Sequence, residues 1–330
     1  MQKTKWFASL KAGTSVRTAA RTILDARAAG VSFYLSHVVS RPGQNAEDVH
    51  QLRVATRRLA AALSIFNRQF GRRTSRKLRR VARRLRRASG TVRDLDVLFA
   101  MFESHAESRA DPASAAPAIE RCRAAFNERR HAALQELTQI AAAQAARFQK
   151  AADAARADLQ QRPARGVGFV PRLASVARKI LPKRLRQLLA AADADLNDLD
   201  VLHQLRIAAK RLRYAMEAFA FCFPIAFRRD LYAQVEAVQE DLGTINDLRN
   251  LRDLLLELNR SAGRGDRAGN PALGDLTWRL DREIAERRAA FIRMWQAEHR
   301  TLGQRFQQIL SRPHLKIVRP PRAATPRRKL

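Results

Sequence analysis

Two cysteines in 330 residues, Cys122 and Cys222, exclude a disulfide framework and a Cys-based zinc site, and favour a reducing cytoplasm. Acidic side chains are also scarce: 31 Asp and Glu stand against 63 Lys and Arg, a formal charge of +32. Aromatics make up only 6% of the chain, too few to suggest a platform for stacking bases. No uncharged apolar run approaches the ~18 residues of a membrane helix, and the longest strongly apolar stretch, Ala218 to Phe227, contains Pro224. After the basic start at Lys3 and Lys5, Arg17, Arg21, Asp25 and Arg27 interrupt any apolar region a secretory signal needs. A soluble protein that meets no membrane is expected. Val, Ile and Thr are nowhere concentrated as a sheet requires, and no Walker glycine loop, His-Glu-x-x-His pair or zinc-finger spacing occurs. No cofactor and no metal site is expected.

What the chain does hold is a repeat. His50-Gln-Leu-Arg-Val-Ala-Thr-Arg-Arg-Leu matches His203-Gln-Leu-Arg-Ile-Ala-Ala-Lys-Arg-Leu at an offset of 203 − 50 = 153 residues, and 9 of the 17 positions from His50 to Phe66 are identical. The same offset pairs Gly90-Thr-Val-Arg-Asp-Leu with Gly243-Thr-Ile-Asn-Asp-Leu, so the repeat spans at least two elements. Apolar periodicity is helical nearly throughout, and hydrophobic residues at 46% suffice for a core. The pattern predicts helices near 15–40, 46–69, 73–107 and 116–160, then near 172–194, 199–222, 229–260 and 273–310. Asn45 and Asp198, equivalent at the offset, are placed to cap the two His-bearing helices, with Glu47 and Asp200 in their first turns.

These signals give an all-α fold of two four-helix bundles related by a pseudo-twofold, one bundle per repeat. The first repeat is read as 10–160 and the second as 172–310, separated by a Pro- and Gly-containing junction at 161–171. A second Gly-rich loop falls at 261–274. A tail over 311–330, with seven basic residues from Arg312 onward and no acid, is expected to be disordered. Residues 1–160 carry 30 basic and 13 acidic side chains and residues 161–330 carry 33 and 18, so neither half neutralises the other.

On the first His helix, His50, Arg53 and Arg57 share one face, with Arg58 at its edge; His203, Arg206, Lys210 and Arg211 repeat the pattern, and Arg213 adds a cation. Cations one turn apart repel one another, so clusters kept in both copies ask for an anion. The next helix is more extreme, since 11 of the 20 residues from Arg68 to Arg87 are basic and none is acidic. Leu78, Val81 and Leu85 form its core stripe; Arg76, Arg79, Arg80, Arg83 and Arg87 lie opposite, Lys77 and Arg84 flank it, and Arg93 follows Gly90. Asp94 and Asp247 follow the shared Gly-Thr and are read as structural, either partners of a nearby Arg or helix-terminal contacts.

At these residues the sequence resembles the CHAD family, the conserved histidine α-helical domain. Residues 50–59 and 203–212 are similar to its His-x-x-Arg signatures, and Arg93-Asp94-Leu95-Asp96-Val97 to its Arg-Asp-x-Asp-Val element, from which Asn246-Asp247-Leu248-Arg249-Asn250 departs. The resemblance covers about 10–310 and implies a basic channel or groove that binds inorganic polyphosphate without catalysis, often at polyphosphate granules. Contacts with the polymer are expected from His50, His203 and the cations of the two His helices and the 68–93 helix named above. Arginine suits such a ligand, because its planar fork offers bidentate hydrogen bonds to phosphate oxygens. Two rivals stand beside that reading. Net charge alone brings weak, salt-sensitive, non-specific binding of nucleic acid. A phosphoryl-transfer enzyme would use His50 or His203 as phosphoacceptor, or would hold Mg2+ on Asp94, Asp96 and Asp247.

Overall fold

A computed structural model describes residues 5–107, 112–161, 171–262 and 270–311. Among these residues there are eight α-helices and no strand, only one isolated bridge between Ser15 and Arg172. They are α1 (Val16–Ser40), α2 (Ala46–Ile65), α3 (Arg72–Glu107), α4 (Pro112–Gln161), α5 (Leu173–Ala192), α6 (Leu199–Phe219), α7 (Tyr232–Ala262) and α8 (Pro271–Ser311). No described helix is long and apolar enough to cross a membrane. Most of the junction at 161–171, the centre of the loop at 261–274 and the tail from 312 lie outside the described residues.

Local sequence explains the helix boundaries. The Asn45 side chain accepts a hydrogen bond from the Glu47 amide, and Asp198 accepts one from the Asp200 amide, so the two His helices start with the same device. Both end sooner than their apolar pattern suggests. α2 gives way at Phe66 to a 3-10 turn over Asn67–Gln69, and α6 to another over Ala220–Cys222, just before Pro224 removes a backbone donor. Cys222 therefore sits in that turn and Cys122 in α4; both thiols are free and buried, and burial pushes the Cys222 thiol up to about 12. A π-turn over Phe227–Leu231 precedes α7, so that helix begins at Tyr232.

The helices α1 to α4 pack on one another, with α4 returning against α1, and α5 to α8 form the second group. Between the groups α2 meets α6, α3 meets α7 and α4 meets α8. Leu52, Leu59, Leu63 and Phe66 of the first His helix, and Leu205, Leu212, Met216 and Phe219 of the second, are all buried. Phe66 and Phe219, 153 residues apart, meet edge to face at 6.4 Å, so the ends of the two His helices share one core. Backbone bonds from Val16 N–H to Pro171 and from Leu173 N–H to Thr14 tie the starts of α1 and α5 together.

That packing also seals a charge network. Glu217 of α6 is 2% exposed, accepts from Arg58 Nε at 2.9 Å, and faces Arg27 at 3.6 Å and Arg213 at 3.7 Å. The Tyr232 hydroxyl donates to it, and Arg213 also donates to Gln239, Tyr232 and Glu236. Arg58 and Arg213, both candidates for the anion site, are thus engaged in an ion cluster that joins the two helical groups. Ser64 stands 153 residues before Glu217, so one copy has the carboxylate and the other does not.

Candidate functional site

Where α2 crosses α6, the repeated cations come face to face. Arg57, Arg206, Lys210 and Arg211 line a cavity of about 440 Å³, joined by Arg86 from α3 and Arg184 from α5, with Tyr214, Ile65, Ile207 and small residues as its walls. No carboxylate is among the lining residues the structure describes. Burial, reinforced by neighbouring cations, lowers the pKa of Arg86 and of Arg184. Lys210 is affected most: burial first, then Arg206 and Arg57, bring its ammonium down to about 7, against a smaller opposing pull from Asp247. The Nε of Arg206 is buried with no acceptor in the structure. Such a group of cations is electrostatically unsatisfied and would be stabilised by a multiply charged anion.

The Gly-Thr motif of each copy meets an arginine of the corresponding His helix. Arg53 forms a two-point pair with Asp94, at 2.9 Å and 3.4 Å, and Arg206 pairs with Asp247 at 3.6 Å. These are the structural partners expected of the two aspartates. Gly90 permits the first pair, because a Cβ there would overlap the Arg53 guanidinium. Gly243 is roomier, its nearest neighbour being Arg206 Nε at 4.0 Å. Asp96, the third acid considered for a metal, bonds Arg130 at 2.7 Å. Among the described residues no group of three or more His, Cys, Asp or Glu side chains is placed to hold a metal ion.

The other sequence candidates divide by place. His50, His203 and Arg53 lie on the same helices but outside the cavity lining, and the His203 Nδ1 meets Asn246 Oδ1 at 2.7 Å. Arg79 is half-buried and donates to the Leu63 carbonyl. Arg76, Arg83 and Arg87 are exposed along α3, while Arg93 is half-buried beyond Gly90. Arg80 and Arg84 face α4 instead. Two lining residues, Arg86 and Arg184, escaped the sequence reading. Arg86 lies one turn before Gly90, so the phase of that glycine marks it. Arg184 has Val31 at the repeat offset, and nothing in the sequence links it to α6.

The CHAD domain model matches residues 29–256, more than half of the chain. The chain belongs to the CHAD family. It superposes on the crystal structure of the CHAD domain from the plant Ricinus communis with a TM-score of 0.64 and 25% identity, over 87% of this chain and 92% of that one. PptA from Streptomyces chartreusis matches with the same TM-score of 0.64 at 18% identity, over 86% of this chain and 100% of that one, and shows the shared fold. No curated protein matches significantly. In this chain the cavity at the α2–α6 crossing receives side chains from both copies of the repeated motif.

Proposed function

We propose that this CHAD protein binds inorganic polyphosphate, or a closely similar linear polyanion, in the cavity between its two helical groups. The observation that carries the reading is the convergence of Arg57, Arg86, Arg184, Arg206, Lys210 and Arg211 on one cavity with no carboxylate in its lining. A chain of phosphates needs a dense row of cations and no base recognition, and arginine forks meet that need. The two groups are read as pseudo-twofold copies, because Phe66 with Phe219 and Arg57 with Lys210 meet at the interface from equivalent positions. Anion contacts are assigned to the six lining cations, with Arg53, Arg83 and Arg87 at the edges. Arg58 and Arg213 are left out, since Glu217 already engages them.

Binding rather than turnover is the reading we favour. Asp94, Asp96 and Asp247 each face an arginine, and the His203 ring nitrogen meets Asn246, so these groups serve to orient side chains. Association with polyphosphate granules belongs to the same proposal. The test is a titration of long-chain polyphosphate, duplex DNA and single-stranded RNA at equal phosphate concentration and ~0.15 M salt, where exposed charges are screened beyond ~8 Å. Tight binding of polyphosphate, weak binding of both nucleic acids and loss of affinity in R57E/K210E support the proposal. Equal affinity for all three makes the protein a general polycation.

A further inference from the structure

The cations of α3 do not stop at the inter-bundle cavity. On the opposite flank of that helix a second cavity of about 480 Å³ opens between α3 and α4. Arg73, Lys77, Arg80 and Arg84 enter it from α3, Arg147 and Lys150 from α4, over a floor that includes Val81, Gln144 and Ala151. Again no carboxylate lines the space, and none of the six cations is ion-paired among the described residues. Elsewhere exposed arginines find acids one turn away, as Arg282 does with Glu286 and Arg287 with Glu283. Here six cations gather on one groove without such acids.

The fold does not require these side chains. At the 153-residue offset, Arg73, Lys77, Arg80 and Arg84 correspond to Ala226, Asp230, Ala233 and Ala237, and that region folds without the cations. A band of cations also runs across α3 between the two cavities. At 100° per residue, Arg86, Arg83, Arg76, Arg87, Arg80 and Arg84 step across the outer face of α3 from the α2 side to the α4 side. No acidic residue interrupts that path between Arg72 and Arg93.

We propose that the α3–α4 groove is a second phosphate-chain subsite, which holds the segment of a long polyphosphate that leaves the inter-bundle cavity and crosses α3. The inference rests on the polyphosphate reading above. It makes affinity depend on chain length: from Arg73 to Arg86 is 13 residues, about 20 Å of helix axis at 1.5 Å per residue, and only a long polymer reaches both cavities. The groove lining contains no aromatic ring to stack a base, which favours a bare phosphate chain over nucleic acid.

The test compares R73A/K77A/R147A/K150A with a charge-matched variant of exposed α8 arginines, R282A/R287A/R293A/R305A, and with the unaltered protein. Each is titrated with tripolyphosphate and with long-chain polyphosphate over a range of salt concentrations. The groove variant is expected to lose about tenfold or more in long-chain affinity, to bind tripolyphosphate unchanged, and to show a salt slope smaller by roughly 3, as loss of four contacts to a flexible polyanion predicts. Equal losses in the groove and α8 variants overturn the proposal in favour of overall charge. Loss of duplex DNA affinity without loss of long-chain polyphosphate affinity overturns it in favour of a nucleic-acid surface. If the unaltered protein binds neither phosphate ligand, the functional reading itself fails, and that outcome is distinct from both.

Discussion

Lys210 offers the sharpest test of the cavity's electrostatics. Arg206, Arg57 and Arg53 surround it, Asp247 is the opposing charge, and Arg211, Arg86 and Arg184 complete the lining from α6, α3 and α5. Burial and those cations bring its pKa from 10.5 to about 7, so the unliganded protein holds it only half charged near neutrality. A polyanion in the cavity reverses the local field and returns the ammonium toward its ordinary value, so binding takes up a proton. With a free pKa of about 7 and a bound pKa of about 10.5, linkage weakens affinity roughly 20-fold between about pH 7.5 and about pH 9, or about 2 kcal/mol. Calorimetric titration in two buffers of different ionisation enthalpy reads both the affinity and the proton uptake. K210R keeps its charge across that range and should lose Lys210's share of the slope; identical slopes in K210R and the unaltered protein refute the argument. Stability without ligand has its own sign. The folded-state pKa lies below the unfolded one, so charging Lys210 destabilises in full below about pH 7, and the penalty fades as pH rises toward 10.5. K210M should therefore melt higher than the unaltered protein near pH 6 and lose that advantage by about pH 10.

Three further outcomes follow from named contacts. E217Q leaves Arg27, Arg58 and Arg213 without their buried counter-charge and should lower unfolding free energy by about 3–5 kcal/mol in a denaturant titration, while polyphosphate affinity of the folded protein holds. A loss under about 1 kcal/mol would show that the network relaxes without its carboxylate. G90A should drive the Arg53 guanidinium off Asp94 and weaken polyphosphate binding. G243A meets nothing closer than 4.0 Å and should leave binding intact while stabilising the helix by up to ~1 kcal/mol; equal effects of the two substitutions would contradict the difference in space.

Most of the fold was legible in the sequence because helical order is local. Apolar spacing placed all eight helices of the described residues within a few positions, and Asn45 and Asp198 mark the starts of α2 and α6 because a cap acts within three residues. The errors fall where backbone geometry depends on distant packing: the 3-10 turns after α2 and α6 and the π-turn before α7. The candidate site was legible in part. Helical phase grouped Arg57, Arg206, Lys210 and Arg211, which line one cavity in the structure, but phase cannot say what stands opposite a face. Arg58 and Arg211 are equivalent in sequence, yet Glu217, whose counterpart is Ser64, draws Arg58 into an ion cluster while Arg211 lines the cavity.

The sequence by itself determined the helical class, the repeat, the excess of positive charge and the family. Those properties reside in composition and in spacings within one or two turns. The tertiary structure alone decided that α2 crosses α6 so that cations 153 residues apart share one cavity, that Arg184 joins them, and that Arg80 and Arg84 turn to α4. Electrostatic energy depends on separation in space, and a pattern along the chain carries no information about which faces the core will press together.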